Sequence, residues 1–235
     1  MIVGHRGAAA LAPENTLAGM KKASEVGIHW VEIDTQLTAD GVPVVFHDET
    51  LQRCTNGTGK LAGHTYDEIK TLDAGSWFGD EFVAESIPSL EEALQTCLEE
   101  NLSINLEIKV HHDEQAFPLV KNVAAVIHAS GFPIEKLLLS SFCIKAVEAC
   151  MLHMPEIRRG YITEQKSSDY LPELEHLGLF SIHVNQEVLT SEMAKSITDK
   201  GYTLNIWTLN EPNKVDDFTQ MKVTNIITDN PLLFS

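Results

Sequence analysis

The sequence is poor in basic residues. Of 235 residues, 17 are Lys or Arg against 34 Asp or Glu, a formal net charge of -17. A far field of that sign repels phosphate backbones and anionic lipid surfaces, so nucleic acid is excluded as a general partner. An anionic small molecule stays compatible if positive charge, such as a bound metal ion, is focused locally. Long apolar runs are also missing. None approaches the ~20 residues of a membrane-spanning helix, so stable membrane insertion is not expected. Cysteine is scarce: Cys54, Cys97, Cys143 and Cys150 form no Cys-x-x-Cys pair. That excludes a disulfide framework and a thiolate zinc site, and it implies reduced thiols, as in the cytoplasm. The N-terminus lacks a basic region followed by an apolar stretch, so no secretory signal is expected. No Gly-x-Gly-x-x-Gly turn follows the first apolar run, which counts against an open dinucleotide-binding sheet.

What is present is alternation. Hydrophobic residues make up 43% and charged residues 22%, a globular composition that excludes wholesale disorder. Strand-like runs begin near residues 2, 31, 103, 137, 158, 180, 203 and 225, with helix-period segments between them. Eight such strands predict an α/β fold, a (β/α)8 TIM-type barrel, as a single catalytic domain over 1–235. A helix is predicted over Asn15–Val26, capped by Asn15 or Thr16. Another is predicted from the cap Ser89 to Glu100, with Glu92 at the capping-box position. Asp40-Gly41 between two apolar runs predicts a hairpin joining Trp30–Leu37 to Val42–His47. Read as a two-residue turn, it pairs Ala39 with Val42 and sets Asp34 opposite His47. Residues 52–88 break the pattern and read as a small insertion after that hairpin. Trp77, Phe78 and Phe82 are expected to form its core.

The acidic residues of the strands carry the chemistry. Glu32 and Asp34 stand two apart on one strand, so they share a face, and Glu107 and Lys109 do the same on the next barrel strand. Their neighbours Val31, Ile33, Leu106 and Ile108 are apolar, so neither strand is wholly solvated. Carboxylates turned into a barrel are costly unless paired or bound to metal. Glu32, Asp34 and Glu107 offer hard oxygen ligands, which suit Mg²⁺ or Ca²⁺. His5 at the end of the first strand and His47 after the hairpin are candidates for general acid and base at the same mouth. Arg6 has the fork geometry for a phosphate oxygen, and Lys109 is either a second phosphate contact or a charge partner for the carboxylates. Trp207 and His183, on late strands, are candidates for the substrate pocket.

The fragments His5-Arg6-Gly7, Pro13-Glu14-Asn15-Thr16, Glu32-Ile33-Asp34, Val45-Phe46-His47-Asp48, Glu107-Ile108-Lys109, Trp207-Thr208-Leu209-Asn210 and Thr228-Asp229-Asn230-Pro231 occur in that order. This ordered set resembles the glycerophosphodiester phosphodiesterase family along essentially the whole chain. The resemblance implies a barrel hydrolase dependent on a divalent metal. Glu32, Asp34 and Glu107 would be its ligands, His5 and His47 its acid and base, and Arg6 and Lys109 its phosphate contacts. The small-molecule partner would be a glycerophosphodiester, cleaved to sn-glycerol 3-phosphate and an alcohol. The rival enzyme is a lysophospholipase D or sphingomyelinase D-like phosphodiesterase on the same barrel, which needs an apolar surface for an acyl chain; Trp77, Phe78 and Phe82 would offer one if they did not form the core of the insertion. A non-catalytic binding barrel is the reading from another class, and the intact set of carboxylates and imidazoles counts against it.

Overall fold

Alternation along each strand decides the architecture. The computed structural model describes residues 1–234. Its parallel strands are β1 (Ile2–His5), β2 (Trp30–Leu37), β4 (Ser103–Ile108), β5 (Leu137–Ser141), β6 (Arg158–Thr163), β7 (Ser181–Asn185), β8 (Thr203–Trp207) and β9 (Asn225–Thr228). They hydrogen-bond in the order β1-β9-β8-β7-β6-β5-β4-β2, and β1 pairs with β2 to close the ring. The short strand β3 (Pro43–Val45) adds antiparallel to β2. The result is the expected eight-stranded TIM barrel.

Every second strand residue faces outward under the helices. Val31 and Ile33 of β2, Ile104, Leu106 and Ile108 of β4, and Leu137 and Leu139 of β5 join one buried cluster with α3 (Leu90–Glu99), α4 (Ala116–Ser130) and α5 (Ile144–His153). Ile182 and Val184 of β7, Leu204 and Ile206 of β8, and Ile226 of β9 join a second cluster with α7 (Ser191–Asp199) and α8 (Val215–Gln220). Each such side chain contributes about 1.5–3 kcal/mol by leaving water. The intervening residues turn inward, and beside the apolar Val3, Leu138, Ile162 and Ile227 many of them are polar, where barrels of this type are usually filled by branched apolar side chains. Asn225 donates to Asn205, and Asn205 donates to His183.

Local signals fix the helix ends. Ser89 caps α3 as expected, with reciprocal bonds between Ser89 and Glu92. The cap of α1 (Leu17–Glu25) is Thr16, whose hydroxyl accepts from the Gly19 N–H. Asn15 does not cap. It sits in the left-handed region at φ 57°, and its side chain is used elsewhere.

The hairpin register differs from the expected one. Thr35 pairs with Val45, Gln36 with Val44 and Leu37 with Pro43, so Phe46 comes level with Asp34 and donates its N–H to the Asp34 carbonyl. The loop holds three residues, Ala39 to Gly41, because the Thr38 N–H bonds the Val42 carbonyl and the Thr38 hydroxyl accepts from the Val42 N–H. Gly41 lies at φ 81°, the left-handed third position such loops require.

Between β3 and α3 the chain forms short turns and α2 (Tyr66–Ile69) around a third cluster. Its core is Val44, Phe46, Leu51, Leu61, Ile69 and Ile87. The expected aromatic core is corrected: Trp77 is 42% exposed, and Phe78 and Phe82, half-buried, stack edge-to-face beside it outside the buried cluster. Compact aliphatic side chains fill the small interior instead. Among the described residues no helix is long and apolar enough to cross a membrane.

Candidate active site

The inward-facing residues near the carboxyl ends of the strands form a cleft of about 250 Å³. Glu32 of β2 and Glu107 of β4 line it, and Asp34 lies buried beside them. One carboxylate oxygen from each falls within 4.8 Å of the others. The parallel register explains this convergence, because Asp34 is the direct partner of Glu107 and Glu32 shares their inward face.

Three buried carboxylates at this spacing need positive charge. The Lys109 ammonium lies 2.8 Å from Glu107 and 3.4 Å from Asp34, and the Arg6 guanidinium lies 3.6 Å from Asp34. Asp34 is clamped by Asn15, whose Nδ2 donates to Oδ2 at 2.8 Å while its Oδ1 accepts the Asp34 N–H at 3.1 Å. The left-handed Asn15 backbone aims this amide inward. Burial opposes ionisation of Asp34, but Lys109 and Arg6 outweigh it and hold its carboxyl far below the usual range. Glu32 and Glu107 go the other way. Burial, together with the Asp34 charge, raises Glu32 well above its ordinary value and pushes Glu107 up to about 7. Burial alone would lower Lys109, yet Asp34 and Glu107 raise it, so it stays cationic.

The donor set fits a divalent cation. It is all oxygen, it is buried, and its mutual repulsion is only partly offset by Lys109 and Arg6. Hard, oxygen-seeking ions match such ligands.

Two imidazoles flank the carboxylates, and each is oriented by an acid. His5 Nδ1 lies 2.6 Å from Asp229, and His47 Nδ1 lies 2.7 Å from Asp48. Both rings line the cleft. His47 reaches it even though the register is shifted, because pairing with β2 ends at the Phe46 N–H and His47 lies beyond it. Burial lowers the His47 pKa, countered in part by Asp34. His183 is buried and pushed down to about 3, so it is neutral. Its Nε2 accepts from Asn205, which leaves the proton on Nδ1. Trp207 forms one wall, edge-to-face with Phe142 at 5.4 Å, and donates to the His183 carbonyl.

All nine residues singled out in the sequence therefore gather at one barrel mouth. Sequence reasoning missed others. Phe142 walls the cleft and lies under Lys109. Asp229, held by Asn210, orients His5. Glu14 and Arg53 buttress Arg6 and Asp48. The fragments Pro13-Glu14-Asn15-Thr16 and Thr228-Asp229-Asn230-Pro231 contain two of these four, and nothing local marks Arg53.

Residues 5–233 match the sequence profile of the glycerophosphoryl diester phosphodiesterase family. The chain belongs to that family. It is 32% identical over 236 residues to a glycerophosphodiester phosphodiesterase of Caldanaerobacter subterraneus subsp. tengcongensis, covering 98% of this chain and 94% of that one. An Oleispira antarctica phosphodiesterase, solved in complex with the product sn-glycerol-3-phosphate, superposes with a TM-score of 0.94 at 33% identity, over 100% of this chain and 94% of that one. A glycerophosphodiester phosphodiesterase from Agrobacterium tumefaciens superposes with a TM-score of 0.83 at 30% identity, covering 99% and 97%. As a member of the glycerophosphoryl diester phosphodiesterase family, the protein is an enzyme, a phosphoric diester hydrolase.

Proposed function

We propose that this phosphodiesterase hydrolyses water-soluble glycerophosphodiesters to sn-glycerol 3-phosphate and an alcohol. Glu32, Asp34 and Glu107 hold Mg²⁺ or Ca²⁺, and His5 and His47 exchange the protons. The observation that carries the reading is the buried carboxylate triad within 4.8 Å, flanked by two imidazoles whose Nδ1 atoms are each tied to a carboxylate. The sn-glycerol-3-phosphate bound by the Oleispira relative supports the product. The size of the cleft and its aromatic wall of Phe142 and Trp207 suit a glycerophosphate. The free thiols of Cys54, Cys97, Cys143 and Cys150 fit a cytoplasmic setting.

Arg6 and Lys109 hold the phosphate oxygens, with Lys109 kept charged by Asp34 and Glu107. A divalent ion on the triad supplies Lewis-acid stabilisation of the charge that builds on the phosphoryl group. Asp229 and Asp48 accept the Nδ1 protons of His5 and His47, so each Nε2 is presented to substrate as the exchanging atom. One Nε2 takes the proton from the attacking oxygen, of water or of the neighbouring glycerol hydroxyl. The other imidazole, protonated, gives its Nε2 proton to the departing alkoxide. Water attack gives glycerol 3-phosphate and a neutral alcohol directly. Hydroxyl attack gives the alcohol and a cyclic phosphate, which water, giving up its proton to one imidazole while the other protonates the departing glycerol oxygen, then opens to glycerol 3-phosphate.

The test is release of glycerol 3-phosphate from glycerophosphocholine and glycerophosphoethanolamine in EDTA, Mg²⁺ and Ca²⁺. Metal-dependent release is expected, and His5→Ala or His47→Ala should lower it roughly 10²- to 10⁴-fold. Release that persists in EDTA, or a double variant with wild-type turnover, overturns the scheme. Turnover confined to lysolipid vesicles moves the assignment to the lysophospholipase D reading.

A further inference from the structure

Arg53 lies outside the barrel, in the segment between β3 and α3, and its side chain is 46% exposed. It nevertheless makes four hydrogen bonds to two carboxylates. Nη1 and Nη2 donate to the two oxygens of Glu14, both at 2.7 Å. Nε and Nη2 donate to the two oxygens of Asp48 at 2.6 and 2.8 Å. Each carboxylate then passes the contact inward. Glu14 accepts from Arg6 Nη1 at 2.6 Å, and Asp48 accepts from His47 Nδ1 at 2.7 Å. One guanidinium is thus two bonds removed from both a cleft imidazole and the guanidinium that faces the phosphate position.

Geometry restricts what can fill this role. Two bidentate forks need a planar group with several fixed donors, which arginine has and lysine lacks. Each fork holds both oxygens of its carboxylate, so neither Glu14 nor Asp48 is free to turn about its own axis. Without Arg53, Glu14 would have Arg6 to itself and draw it from the phosphate, and Asp48 would be free to swing with His47.

We propose that Arg53 is a positioning residue that clamps Asp48 and Glu14, and through them fixes His47 and Arg6 in one geometry. The proposal rests on the roles given above to His47 and Arg6. It assigns to the insertion a part in turnover that needs no contact with substrate.

The test compares wild type, Arg53→Ala and Arg53→Lys for release of glycerol 3-phosphate from glycerophosphocholine, with melting temperatures alongside. Misplacing catalytic groups by about 1 Å costs roughly 10²-fold, so kcat should fall about that far in both variants. Inhibition by sn-glycerol 3-phosphate should weaken as Arg6 loosens. Millimolar guanidinium, with urea as the matched control, should restore much of the lost kcat to Arg53→Ala and none to Arg53→Lys, whose stem fills the space. Variants with wild-type kcat and inhibition overturn the proposal. So does a loss that follows melting temperature and does not respond to guanidinium. If Arg53→Ala does not fold, Arg53→Lys carries the test, because it keeps the charge and stem, and wild-type kcat there overturns the proposal. Wild type is measured first: its failure to release product overturns the reading of the site, whereas active wild type with equally active variants overturns Arg53 alone.

Discussion

Replacing Glu107 by Gln should make the metal-free enzyme more stable at neutral and alkaline pH. Glu107 is buried beside Asp34, and its pKa is raised from 4.5 to about 7. A carboxyl whose folded pKa is raised binds its proton more tightly in the folded state. Its contribution to stability is therefore full below about pH 4.5 and is lost as pH rises through 7. Above that window the folded protein carries an ionised Glu107 that costs about 3 kcal/mol relative to the unfolded chain. Gln keeps the size, and its amide oxygen can still accept from Lys109, which retains Asp34 at 3.4 Å. It carries no charge to confine.

In EDTA at about pH 8, Glu107→Gln should melt roughly 6–12 °C above wild type, at about 2–4 °C per kcal/mol for a chain of this length. Near pH 5 the gap should shrink to less than about 1 kcal/mol, because the folded wild-type side chain is already protonated. Scanning calorimetry across this range reads both limbs. Adding Mg²⁺ or Ca²⁺ should close most of the gap at 100 times its Kd, where an ion adds about 2.7 kcal/mol to the protein that binds it, and reverse the order at 1,000 times its Kd, where it adds about 4.1 kcal/mol. A variant no more stable than wild type in EDTA at alkaline pH refutes the argument that the triad is under electrostatic strain. An equal gain at both pH values refutes the assignment of that strain to Glu107.

The strand-borne part of the site was legible because it is periodic. Glu32 and Asp34, and Glu107 and Lys109, sit two apart among apolar residues, which fixes a common face before any tertiary contact is known. Counting apolar runs located the barrel for the same reason. The hairpin register was not legible from Asp40-Gly41, because Thr38 lengthens the loop by one residue with its own hydroxyl. The partners of the imidazoles were hidden differently. His5 and Asp229 are 224 residues apart and meet only because β9 closes against β1. Arg53 meets Glu14 across 39 residues through a segment without regular alternation. The insertion misled by composition: its bulky aromatic residues suggested a core, but the third cluster is built mainly on aliphatic side chains, and the aromatic row stays outside.

Two further substitutions test the geometry of the barrel interior. Gly160 on β6 leaves room for the His183 ring: a Cβ there would lie 2.8 Å from His183 Nε2 and 2.6 Å from Ser181 Oγ. Gly160→Ala should therefore cost about 1–3 kcal/mol and lower turnover by displacing His183, and an unchanged melting temperature would sink the close-packing claim. Asp229→Asn should impair the enzyme at least as much as Asp229→Ala, although Asn is the closer mimic. Asp229 accepts from His5 through one oxygen and from Asn210 Nδ2 through the other. Asn210 cannot flip to suit an amide, because its Oδ1 already accepts the Asp229 N–H and the Thr228 hydroxyl. The new amide must then offer its oxygen to Asn210 and its NH₂ to His5 Nδ1. That forces the His5 proton onto Nε2, the atom that accepts or relays a proton in the proposed scheme. The wrong tautomer should cost about 10²- to 10⁴-fold in kcat, whereas Ala leaves the ring free to choose. Near-wild-type kcat for Asp229→Asn, measured by release of glycerol 3-phosphate, would show that the Nδ1 contact does not set the tautomer and that His5 works without it.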